Sequence, residues 1–453
     1  MDDKFTVITF GCWLNKADSD IIITRLKELG WEYVDDAKHA NVIIVNTCAV
    51  REEAERNELK LLSRLRKEDP NKKLIVTGCL TRVRPSTIKE IVPDAILVTS
   101  HGAEFIDEVV RDSSSDIHVY SNRPMRYLPT YYPEIHGHRY VAPIQIGCLG
   151  NCSFCVTKIG RMGFGIVKSY DKDSIVNAVK NAVIKGAREI YLTGQEISAY
   201  GRDKGYDLAD LLEELLRRVE GRYMVRLGMM EPLELSRILD RLLDIVRNDW
   251  RVYKFFHIPV QSGSDRMLMF MRRKYSVELF KDIVKRIRSV IPEATIAIDI
   301  IVGFPGESDE DFWASIELVK ELGIDKVNLA RYSRRPFTEA AYMKQVPEQV
   351  KKERSKVATE IFNSVALERN KLFIDKIMWG IVSEVDFKGK NYVVRSYNYK
   401  PIAVMKADVG AFVKVKITNA TPQRLFGELI ESEELGIKYR VDSRIISGMD
   451  LIS

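Results

Sequence analysis

The sequence has no long apolar run, no signal-like N-terminus, no low-complexity tract and only six cysteines. Its most apolar stretches, Val42–Val45 and Ala294–Phe304, are short or interrupted by Asp299, which excludes a membrane span. The first residues are acidic and lack the basic and apolar regions of a secretory signal, so we expect a cytoplasmic protein without membrane association. Thiols stay reduced in that compartment, where clustered cysteines indicate metal binding or catalysis rather than disulfides.

Length and charge set the next limits. A chain of 453 residues exceeds one ordinary hydrophobic core, which predicts two or three domains. Hydrophobic residues make up 45% and charged residues 30% of the chain, as in soluble globular proteins. The net charge of +6 and the pI near 8.8 are compatible with nucleic-acid binding but do not demonstrate it.

Residues 1–120 alternate short apolar runs with helical patterns. This alternation predicts an α/β domain with a doubly wound parallel sheet. The Pro- and Tyr-rich segment 121–137 shows neither period and is expected to be a linker. The apolar runs are Phe5–Phe10, Val42–Val45, Leu74–Val76 and Ala95–Val98, and the helical patterns are Lys16–Leu29, Val50–Arg66 and Pro85–Ile91.

A second, longer alternation occupies residues 138–375. Six strand–helix repeats rather than eight predict a partial (β/α)6 barrel, and the charged helical pattern Gln349–Lys376 follows it. The candidate strands are Val141–Gln145, Glu189–Thr193, Tyr223–Gly228, Lys254–Ile258, Thr295–Ile300 and Lys326–Tyr332, with helical patterns such as Ser174–Ile184, Leu208–Val219 and Asp309–Leu322 between them.

The pattern changes to short β-type runs after Gly380. Five such runs predict a small all-β, OB-like barrel over residues 376–435, followed by a C-terminal tail, 436–453. The runs are Ile381–Phe387, Tyr392–Ser396, Pro401–Met405, Phe412–Thr418 and Phe426–Ile430.

Cys148, Cys152 and Cys155 form a C-x3-C-x2-C run just after the first strand of the predicted partial barrel. Three thiolates at this spacing can bind three irons of a [4Fe–4S] cube and leave the fourth iron open. A structural zinc site would need a fourth ligand at matching spacing, and none follows nearby. The run resembles the signature of the radical S-adenosylmethionine (SAM) enzymes. The resemblance implies that the open iron chelates the amino and carboxylate groups of SAM, and that one electron then cleaves SAM to a 5′-deoxyadenosyl radical.

Segments at the ends of later strands resemble the SAM-binding segments of that family. The segment Leu192–Glu196 implies that Gln195 and Glu196 meet the SAM amino group. The segment Asp299–Glu307 implies that Asp299, Gly303 and Pro305 lie along the adenosine.

Three further contacts with SAM are implied by the resemblance. His257 begins another strand-end segment, and Arg226 could meet the SAM carboxylate or a structural carboxylate instead. Arg161 is carried over from the loop after the third cysteine, which runs to Ser169 and is a few residues longer than usual. A second departure is Phe337, which stands at a glycine position of the family in a loop expected to face the substrate or a domain junction.

The other three cysteines, Cys12, Cys48 and Cys79, each follow a short apolar strand of the N-terminal region. Parallel strands of a doubly wound sheet share one carboxyl edge, so we expect these thiols to meet there. The arrangement predicts a second [4Fe–4S] cluster with three protein ligands and an open iron. The competing interpretation is that each cysteine is a small core residue, which three equivalent strand ends disfavour.

The two cysteine trios together resemble the methylthiotransferases among the radical SAM enzymes, over nearly the whole chain. Gly11–Asn15, Asn46–Arg51 and Thr77–Leu80 match the N-terminal domain of that family. In the family the second cluster carries the sulfur, one SAM methylates it, and another SAM supplies the radical that takes hydrogen from the acceptor. The resemblance implies that all six cysteines are catalytic as well as metal ligands. It also implies tRNA, a flavodoxin- or ferredoxin-type electron donor and a sulfur donor as partners.

Basic and aromatic residues are interleaved in the predicted C-terminal barrel. Basic groups bind phosphates and aromatic faces stack on bases, although alternating strands of any small barrel expose some charge. The position and strand count resemble the TRAM domain with which methylthiotransferases bind tRNA. The candidate RNA contacts are Lys388, Lys390, Arg395, Lys414 and Lys416.

The acceptors in this family are anticodon-adjacent adenosines with an isopentenyl or threonylcarbamoyl group, and an aspartate of a ribosomal protein. The segments Thr193–Arg202 and His257–Asp265 resemble the archaeal and eukaryotic branch, which implies N6-threonylcarbamoyladenosine as the substrate. Isopentenyladenosine and the aspartate remain alternatives. Two alternatives come from other classes: a two-cluster electron carrier, which needs neither the large barrel nor the basic tail, and an RNA-binding protein whose cysteines hold zinc.

Overall fold

The structure is a computed structural model that describes residues 3–111, 116–119, 128–161, 165–386, 391–436 and 438–439. Three units follow one another along the chain: an α/β domain, a partial barrel and a small closed barrel. Of the helices in the described ranges, none is both long enough and apolar enough to cross a bilayer.

The N-terminal domain is a six-stranded, all-parallel sheet with the order β2-β1-β3-β4-β5-β6. Helix α1 packs on one face, and α2 with α4 packs on the other, which confirms the doubly wound prediction. The strands are β1 (Lys4–Thr9), β2 (Glu32–Tyr33), β3 (Val42–Thr47), β4 (Lys73–Gly78), β5 (Ile96–Val98) and β6 (Ile117–His118), and the helices are α1 (Trp13–Glu28), α2 (Glu52–Glu68), α3 (Leu80–Val83), α4 (Pro85–Ile91) and α5 (Ile106–Arg111).

The segment that was expected to be a linker is packed in its described part. It carries the short helix α6 (Pro133–His136), and Tyr131 and His136 are both 2% exposed. The ring Nε2 of His136 lies 3.2 Å from Oδ1 of Asp20 in α1. This part of the segment therefore packs against both neighbouring cores, with Tyr131 in that of the central domain and Ile135 in that of the N-terminal domain, and its first residues lie outside the described ranges.

The central domain is an open arc of six parallel strands, which confirms the partial barrel. Two three-stranded sheets, β7-β10-β11 and β12-β13-β14, are joined by parallel bridges from Val225 to Val252 and from Met229 to His257. A separate antiparallel pair, β8-β9, carries the cysteine loop. The strands are β7 (Arg139–Pro143), β8 (Gln145–Cys148), β9 (Ile166–Ser169), β10 (Glu189–Thr193), β11 (Met224–Leu227), β12 (Phe255–His257), β13 (Thr295–Val302) and β14 (Lys326–Arg331).

Helices cover the outside of this arc because their apolar faces pack on the strands in one continuous core. Several begin at side-chain N-caps, such as Asp207 for α9 and Ser308 for α13, each in a capping box. The helices are α7 (Thr157–Gly160), α8 (Lys172–Ile184), α9 (Leu208–Arg218), α10 (Pro232–Asn248), α11 (Asp265–Phe270), α12 (Val277–Val290), α13 (Asp309–Leu322) and α14 (Glu348–Lys371).

The C-terminal domain is a closed five-stranded barrel with the order β15-β16-β17-β19-β18, as expected for an OB-like unit. All pairings are antiparallel except β17 with β19. The first strand starts four residues earlier than its sequence pattern indicated. The strands are β15 (Ile377–Val385), β16 (Tyr392–Ser396), β17 (Pro401–Val404), β18 (Phe412–Ala420) and β19 (Leu425–Ser432).

The small barrel is anchored to the central domain by a buried ion-pair cluster. Asp325, which precedes β14, is fully buried and pairs with Lys400 at 2.9 Å, with Arg369 at 3.3 Å and with Arg288. Its Oδ2 also accepts a hydrogen bond from the backbone N–H of Ile296 at 3.0 Å. Burial opposes ionisation, but the charges of Lys400, Arg288 and Arg369 lower the pKa of Asp325 to about 2.

Candidate active site

The C-x3-C-x2-C loop leaves β8 and returns in β9. Gly147 has φ +88°, and a Cβ there would lie 2.1 Å from the carbonyl oxygen of Ile166, so the hairpin requires glycine at this position. A Cβ at Gly150 would lie 3.3 Å from Cys148 Sγ and 3.6 Å from Cys152 Sγ. The loop therefore leaves the space beside these sulfurs free of side chains.

Each sulfur of this trio has a polar neighbour. The backbone N–H of Gly150 donates to Cys148 Sγ at 3.3 Å, and Cys155 Sγ lies 3.1 Å from Thr157 Oγ1. Nη1 of Arg273 lies 3.1 Å from Cys152 Sγ. Burial, the charge of Glu196 and the other two thiolates raise the pKa of Cys148 to about 12, so a bound metal would be needed to keep this sulfur ionised.

Arg273 was not among the predicted site residues. It lies after α11, in no motif that sequence reasoning could single out, and its position depends on the way that α11 packs against the cysteine loop. Its other arm donates to the carbonyl oxygen of Pro259 at 2.9 Å. Arg273 therefore connects the cysteine loop to the end of β12.

Gln195 and Glu196 follow β10, beside the cysteine loop. Oε1 of Gln195 accepts a hydrogen bond from the N–H of Gly147 at 2.6 Å. The Glu196 carboxylate is 3% exposed and accepts hydrogen bonds from Ser198 and from the N–H groups of Ala199 and Glu231 at 3.2 and 3.3 Å. Burial raises the pKa of Glu196 to about 7. Gln195 thus holds the backbone of the cysteine loop, whereas Glu196 holds its own turn and the N–H of Glu231, the N-cap of α10.

His257, Asp299 and Asn328 meet across three neighbouring strands. Oδ1 of Asp299 lies 2.9 Å from His257 Nε2 and 2.8 Å from Asn328 Nδ2. Burial raises the pKa of Asp299, but His257 and Asn328 outweigh this effect and lower it below its usual value. The Asp299 side chain keeps 26% of its accessible surface although it lies inside the arc, so the lumen of the arc is open to solvent at this level.

Helix α14 packs against the loop that follows β13. Gly303 has φ +69°, and a Cβ there would lie 2.3 Å from Lys351 Cγ. The Gly303 N–H donates to Glu307 at 2.7 Å, and Glu307 pairs with Arg354 at 2.6 Å. Lys351, Glu307 and Arg354 therefore hold the backbone around Gly303 in place.

The N-terminal trio lies at the carboxyl edge of the sheet, as its spacing predicts. Cys12 is the N-cap of α1, Cys48 follows β3, and Cys79 follows β4. A Cβ at Gly11, next to Cys12, would lie 3.1 Å from Cys48 Sγ. The charge of Cys12 acts on both other thiols, and burial together with it raises the pKa of Cys79 to about 11. The three thiols therefore share one space.

Arg161 lies at this N-terminal trio rather than in the lumen of the arc. It is 2% exposed, and its Nη2 donates to Asn15 Oδ1 at 2.6 Å and to Asp18 Oδ2 at 2.7 Å. Its charge lowers the pKa of Cys79, which burial raises more strongly. Nδ2 of Asn15 donates to the carbonyl oxygen of Thr47 at 2.9 Å, one residue before Cys48.

The donor chemistry of both trios fits iron–sulfur clusters. Thiolates alone, with an arginine at each trio, are the ligands and neighbours expected of a cluster.

Phe337 stands at a glycine position of the family, in the second loop that departs from the family pattern. It is 65% exposed and adopts φ +62°, a conformation that favours glycine. Two residues earlier, Arg335 is buried and pairs with Glu55 in α2. The loop therefore lies at the junction with the N-terminal domain.

Two family profiles match this chain. The profile described as uncharacterized protein family UPF0004 matches residues 4–100, and the radical SAM superfamily profile matches residues 143–319. The probable threonylcarbamoyladenosine tRNA methylthiotransferase of Pyrococcus horikoshii is 37% identical over 438 residues, which cover 94% of this chain and 99% of that protein. The threonylcarbamoyladenosine tRNA methylthiotransferase of Homo sapiens is 33% identical over 449 residues, which cover 95% of this chain and 75% of that protein.

This chain belongs to the radical SAM methylthiotransferase family. It is a transferase of the radical SAM type, which uses SAM and an iron–sulfur cluster. The methylthiotransferase is also 32% identical, over 445 residues, to the tRNA-2-methylthio-N(6)-dimethylallyladenosine synthase of Pelotomaculum thermopropionicum, covering 94% of this chain and 97% of that protein.

A solved structure shares the fold of this methylthiotransferase. The radical SAM methyltransferase TsrM of Kitasatospora setae, solved with cobalamin and a [4Fe-4S] cluster bound, has a TM-score of 0.56 at 14% identity. The match covers 75% of this chain and 74% of that chain. At this identity the likeness concerns the fold alone.

Three of the five RNA contacts expected in the methylthiotransferase lie in the described ranges, and these three do not share one surface. Lys388 and Lys390 lie outside the described residues. Lys414 is half exposed beside Glu431, at 2.6 Å, and Lys416 is exposed on the same strand. Arg395 is not on this surface, because its guanidinium points into the domain junction and pairs with Glu384 at 2.5 Å.

An aromatic and basic patch that sequence reasoning missed lies where the small barrel meets the central domain. The ring of Phe412 has the guanidinium carbons of Arg188 and Arg222 at 5.1 and 4.7 Å from its centroid. Trp250 is 44% exposed and packs against Phe412 and Trp379. The patch combines residues that are up to about 220 positions apart, from Arg188 to Phe412, so no local signal could reveal it. We call these five residues the junction patch.

Proposed function

We propose that this methylthiotransferase converts N6-threonylcarbamoyladenosine beside the anticodon of tRNA to its 2-methylthio derivative. Relatives named probable threonylcarbamoyladenosine tRNA methylthiotransferases match nearly the whole chain, and the chain carries the two cysteine trios that the family resemblance implies. The observation that carries the proposal is the short link between the trios: Cys155 ends one trio, and five residues later α7 ends at Gly160, which lies against Cys79 of the other.

The target chemistry explains the need for two adjacent sites. A C2–H bond of adenine is neither acidic nor nucleophilic, so acid–base catalysis cannot activate it, whereas a carbon-centred radical can. Clusters bound to the two trios would supply the electron for SAM cleavage and the sulfur for insertion. The sulfur must be held close to the radical site so that it reacts first, which the short connection through α7 provides.

The chain's own residues hold and shield these sites. Cys148, Cys152 and Cys155 are proposed to ligate the SAM cluster, and Cys12, Cys48 and Cys79 the sulfur-carrying one. The loops after β10 and β13 are proposed to position SAM through the backbone near Gln195 and Gly303, and His257 with Asp299 to contact it from the lumen. Arg273 and Arg161 each offset charge at one trio.

The proposed partner is tRNA, bound through the junction patch and the exposed lysines of β18. Guanidinium and ammonium groups bind phosphates, and an exposed indole can stack on a base. A flavodoxin- or ferredoxin-type electron donor, a separate sulfur donor and a cytoplasmic location are further parts of the proposal.

Nucleoside mass spectrometry tests the proposal. Anaerobically reconstituted protein, reductant and SAM are incubated with tRNA bearing either threonylcarbamoyladenosine or isopentenyladenosine, and with the ribosomal protein that carries the alternative aspartate. We expect 2-methylthio product only from threonylcarbamoyladenosine. Product from isopentenyladenosine or from the aspartate alone would assign the alternative substrate.

The same preparation separates the alternatives of another class. Alanine at Cys12, Cys48 or Cys79 is expected to abolish the methylthio product while 5′-deoxyadenosine formation continues, and alanine at Cys148, Cys152 or Cys155 is expected to abolish both. Intact clusters without SAM cleavage would indicate an electron carrier, and zinc without iron would indicate a zinc-binding RNA-binding protein.

A further inference from the structure

Two cations in the lumen of the central arc lack a carboxylate partner. Arg226 on β11 is 9% exposed, and its guanidinium makes no hydrogen bond or ion pair with any described residue. Lys326, the first residue of β14, is half-buried and makes none through its ammonium group within the described ranges. Buried charges are ordinarily paired, so both groups need an explanation.

The carboxylates of this region are already committed to other cations. Glu189 pairs with Arg139 at 3.1 Å and with His138, Glu384 pairs with Arg395, and Asp299 pairs with His257. Each of these acids thus has a basic partner of its own. Within the described ranges, Arg226 and Lys326 therefore have no acid in hydrogen-bond or ion-pair contact, and only the more distant charges of Asp299 and Glu384 act on Lys326.

Aromatic rings surround the Arg226 guanidinium. Its central carbon lies 5.3 Å from the ring centroid of Tyr191, and 5.2 Å from those of Phe255 and Tyr399. The Tyr399 ring also contacts a second arginine, because the guanidinium carbon of Arg395 lies 5.0 Å from its centroid. The rings fix Arg226 without consuming its N–H donors, which leaves those donors free for a planar anion.

The environment of Lys326 also favours an anion. Burial, and then the positive charges of Arg395 and Arg226, lower the pKa of Lys326 to about 7. A bound carboxylate would restore the usual charge of this ammonium group. Lys326 pairs in register with Ala297, two residues before Asp299 on β13, so the two cations lie deeper in the arc than Asp299.

We infer that Arg226 and Lys326 bind the carboxylate of the threonyl side chain on the adenosine that is modified. The inference rests on the proposed function. The isopentenyl group of the alternative substrate carries no charge, and a chain built for it would gain nothing from two unpaired cations in its lumen. The methionine carboxylate of SAM is the other source of this anion, and it is the one that the sequence suggested for Arg226. The resemblance also assigns that carboxylate to the open iron beside Cys148, at the carboxyl edge of the strands, whereas Arg226 and Lys326 lie deeper in the arc.

The test compares two RNAs that differ in one group. Anticodon stem–loops carry either threonylcarbamoyladenosine or its threonine carboxamide, and the holoenzyme is assayed for 2-methylthio product and, without RNA, for 5′-deoxyadenosine. Loss of one charge-assisted hydrogen bond corresponds to a factor of about 10 to 100, so we expect wild-type kcat/KM to fall by about that factor on the carboxamide.

The variants identify the residues responsible. Lys326→Met is expected to lower kcat/KM on the acid by about 10- to 100-fold, to leave the carboxamide rate unchanged, and to keep 5′-deoxyadenosine formation without RNA. Arg226→Lys keeps the charge and is expected to retain part of the preference. Lys320→Met, on the outer face of α13 beside Glu317, is the matched control and is expected to behave as wild type, and iron content verifies folding of each variant.

Three outcomes would overturn the inference. Equal wild-type rates on both RNAs, or a Lys326→Met enzyme that keeps the full preference for the acid, would show that these cations do not bind the threonyl carboxylate. Loss of 5′-deoxyadenosine formation without RNA would assign the cations to SAM. A wild-type enzyme that makes no product from either RNA, but does from isopentenyladenosine, would overturn the proposed function itself.

Discussion

Gly160 of the central domain lies directly against Cys79 of the N-terminal domain. A Cβ at Gly160 would be 2.9 Å from Cys79 Cβ and 3.0 Å from its carbonyl oxygen. Gly160 is also the last residue of α7, which begins two residues after Cys155. One turn of helix therefore links the two cysteine trios, and its end has room for no side chain.

Gly160→Val is expected to displace Cys79 and to remove the N-terminal cluster alone. Added atoms at this contact must move the Cys79 backbone, because real Cβ contacts are not this short. We expect a loss of the iron of one cluster and of methylthio product, with 5′-deoxyadenosine formation retained. Gly436→Ala, where a Cβ would meet nothing within 4 Å, is the control. Full iron content in the Val variant would contradict this account.

The buried pair of Arg161 and Asp18 is expected to hold the domains together. Removing one partner of a buried ion pair leaves an uncompensated charge, which costs about 3–5 kcal/mol. Arg161→Gln should lower the free energy of unfolding by about this amount, measured by chemical denaturation of the reconstituted protein. The double variant Asp18→Asn/Arg161→Gln should lose less than the sum of the two single variants.

The exposed Arg331, which pairs with Glu348 at 3.4 Å, provides the control for this cycle. Arg331→Gln should change stability by less than about 1 kcal/mol, as surface pairs do. Strict additivity of the Asp18 and Arg161 variants would show that the pair is not coupled.

Asp325→Asn is expected to weaken the attachment of the small barrel in a pH-dependent way. The folded-state pKa of Asp325, about 2, lies below its ordinary value of 3.8, so its ionisation stabilises the fold above pH 4. That contribution is lost as the pH falls from about 4 towards 2.

Denaturation at several pH values checks this prediction. At pH 7 the variant should be less stable than wild type by about 3 kcal/mol, since three buried cations lose their shared carboxylate. The difference should shrink below pH 4. Asp240→Asn, which changes an exposed acid beside Arg286, should have little effect, and a pH-independent deficit for Asp325→Asn would contradict the linkage.

Trp250→Ala is expected to weaken tRNA binding without affecting SAM cleavage. Stacking of a base on an aromatic side chain contributes about 1–3 kcal/mol, which corresponds to a five- to 150-fold increase in Kd at constant salt. Trp313, 47% exposed on α13 and packed on Phe312, lies outside the junction patch. Trp313→Ala should leave Kd unchanged, and equal effects of the two variants would argue against the patch.

The sequence predicted the elements whose signals are local. Glu189–Thr193, Pro85–Ile91 and Asp309–Leu322 appear in the structure with the expected bounds, because apolar runs, caps and periodicity determine them over a few residues. The three strand-end cysteines were likewise predictable, since parallel strands bring their carboxyl ends to one edge.

The residues that escaped prediction depend on packing between domains. The resemblance places Arg161 at SAM, yet in the structure its guanidinium pairs with Asp18 of the N-terminal domain. The alternation of polar and apolar residues along β16 predicts a surface position for Arg395, but the central domain covers that face of the barrel. Arg273 and Trp250 belong to no motif, and only the folded chain brings them to a sulfur and to the junction patch.

The hydroxyl groups of Tyr191 and Tyr399 lie 2.8 Å apart, one on a strand of the arc and the other in the turn between β16 and β17. The small barrel thus closes one end of the lumen of the central arc, in addition to any contact that it makes with RNA. A chain shortened before Ile377 would bind its substrate less tightly and would also let bulk water reach Arg226 from beneath. Such a truncation should uncouple the enzyme, so that SAM is consumed without a matching yield of modified nucleoside.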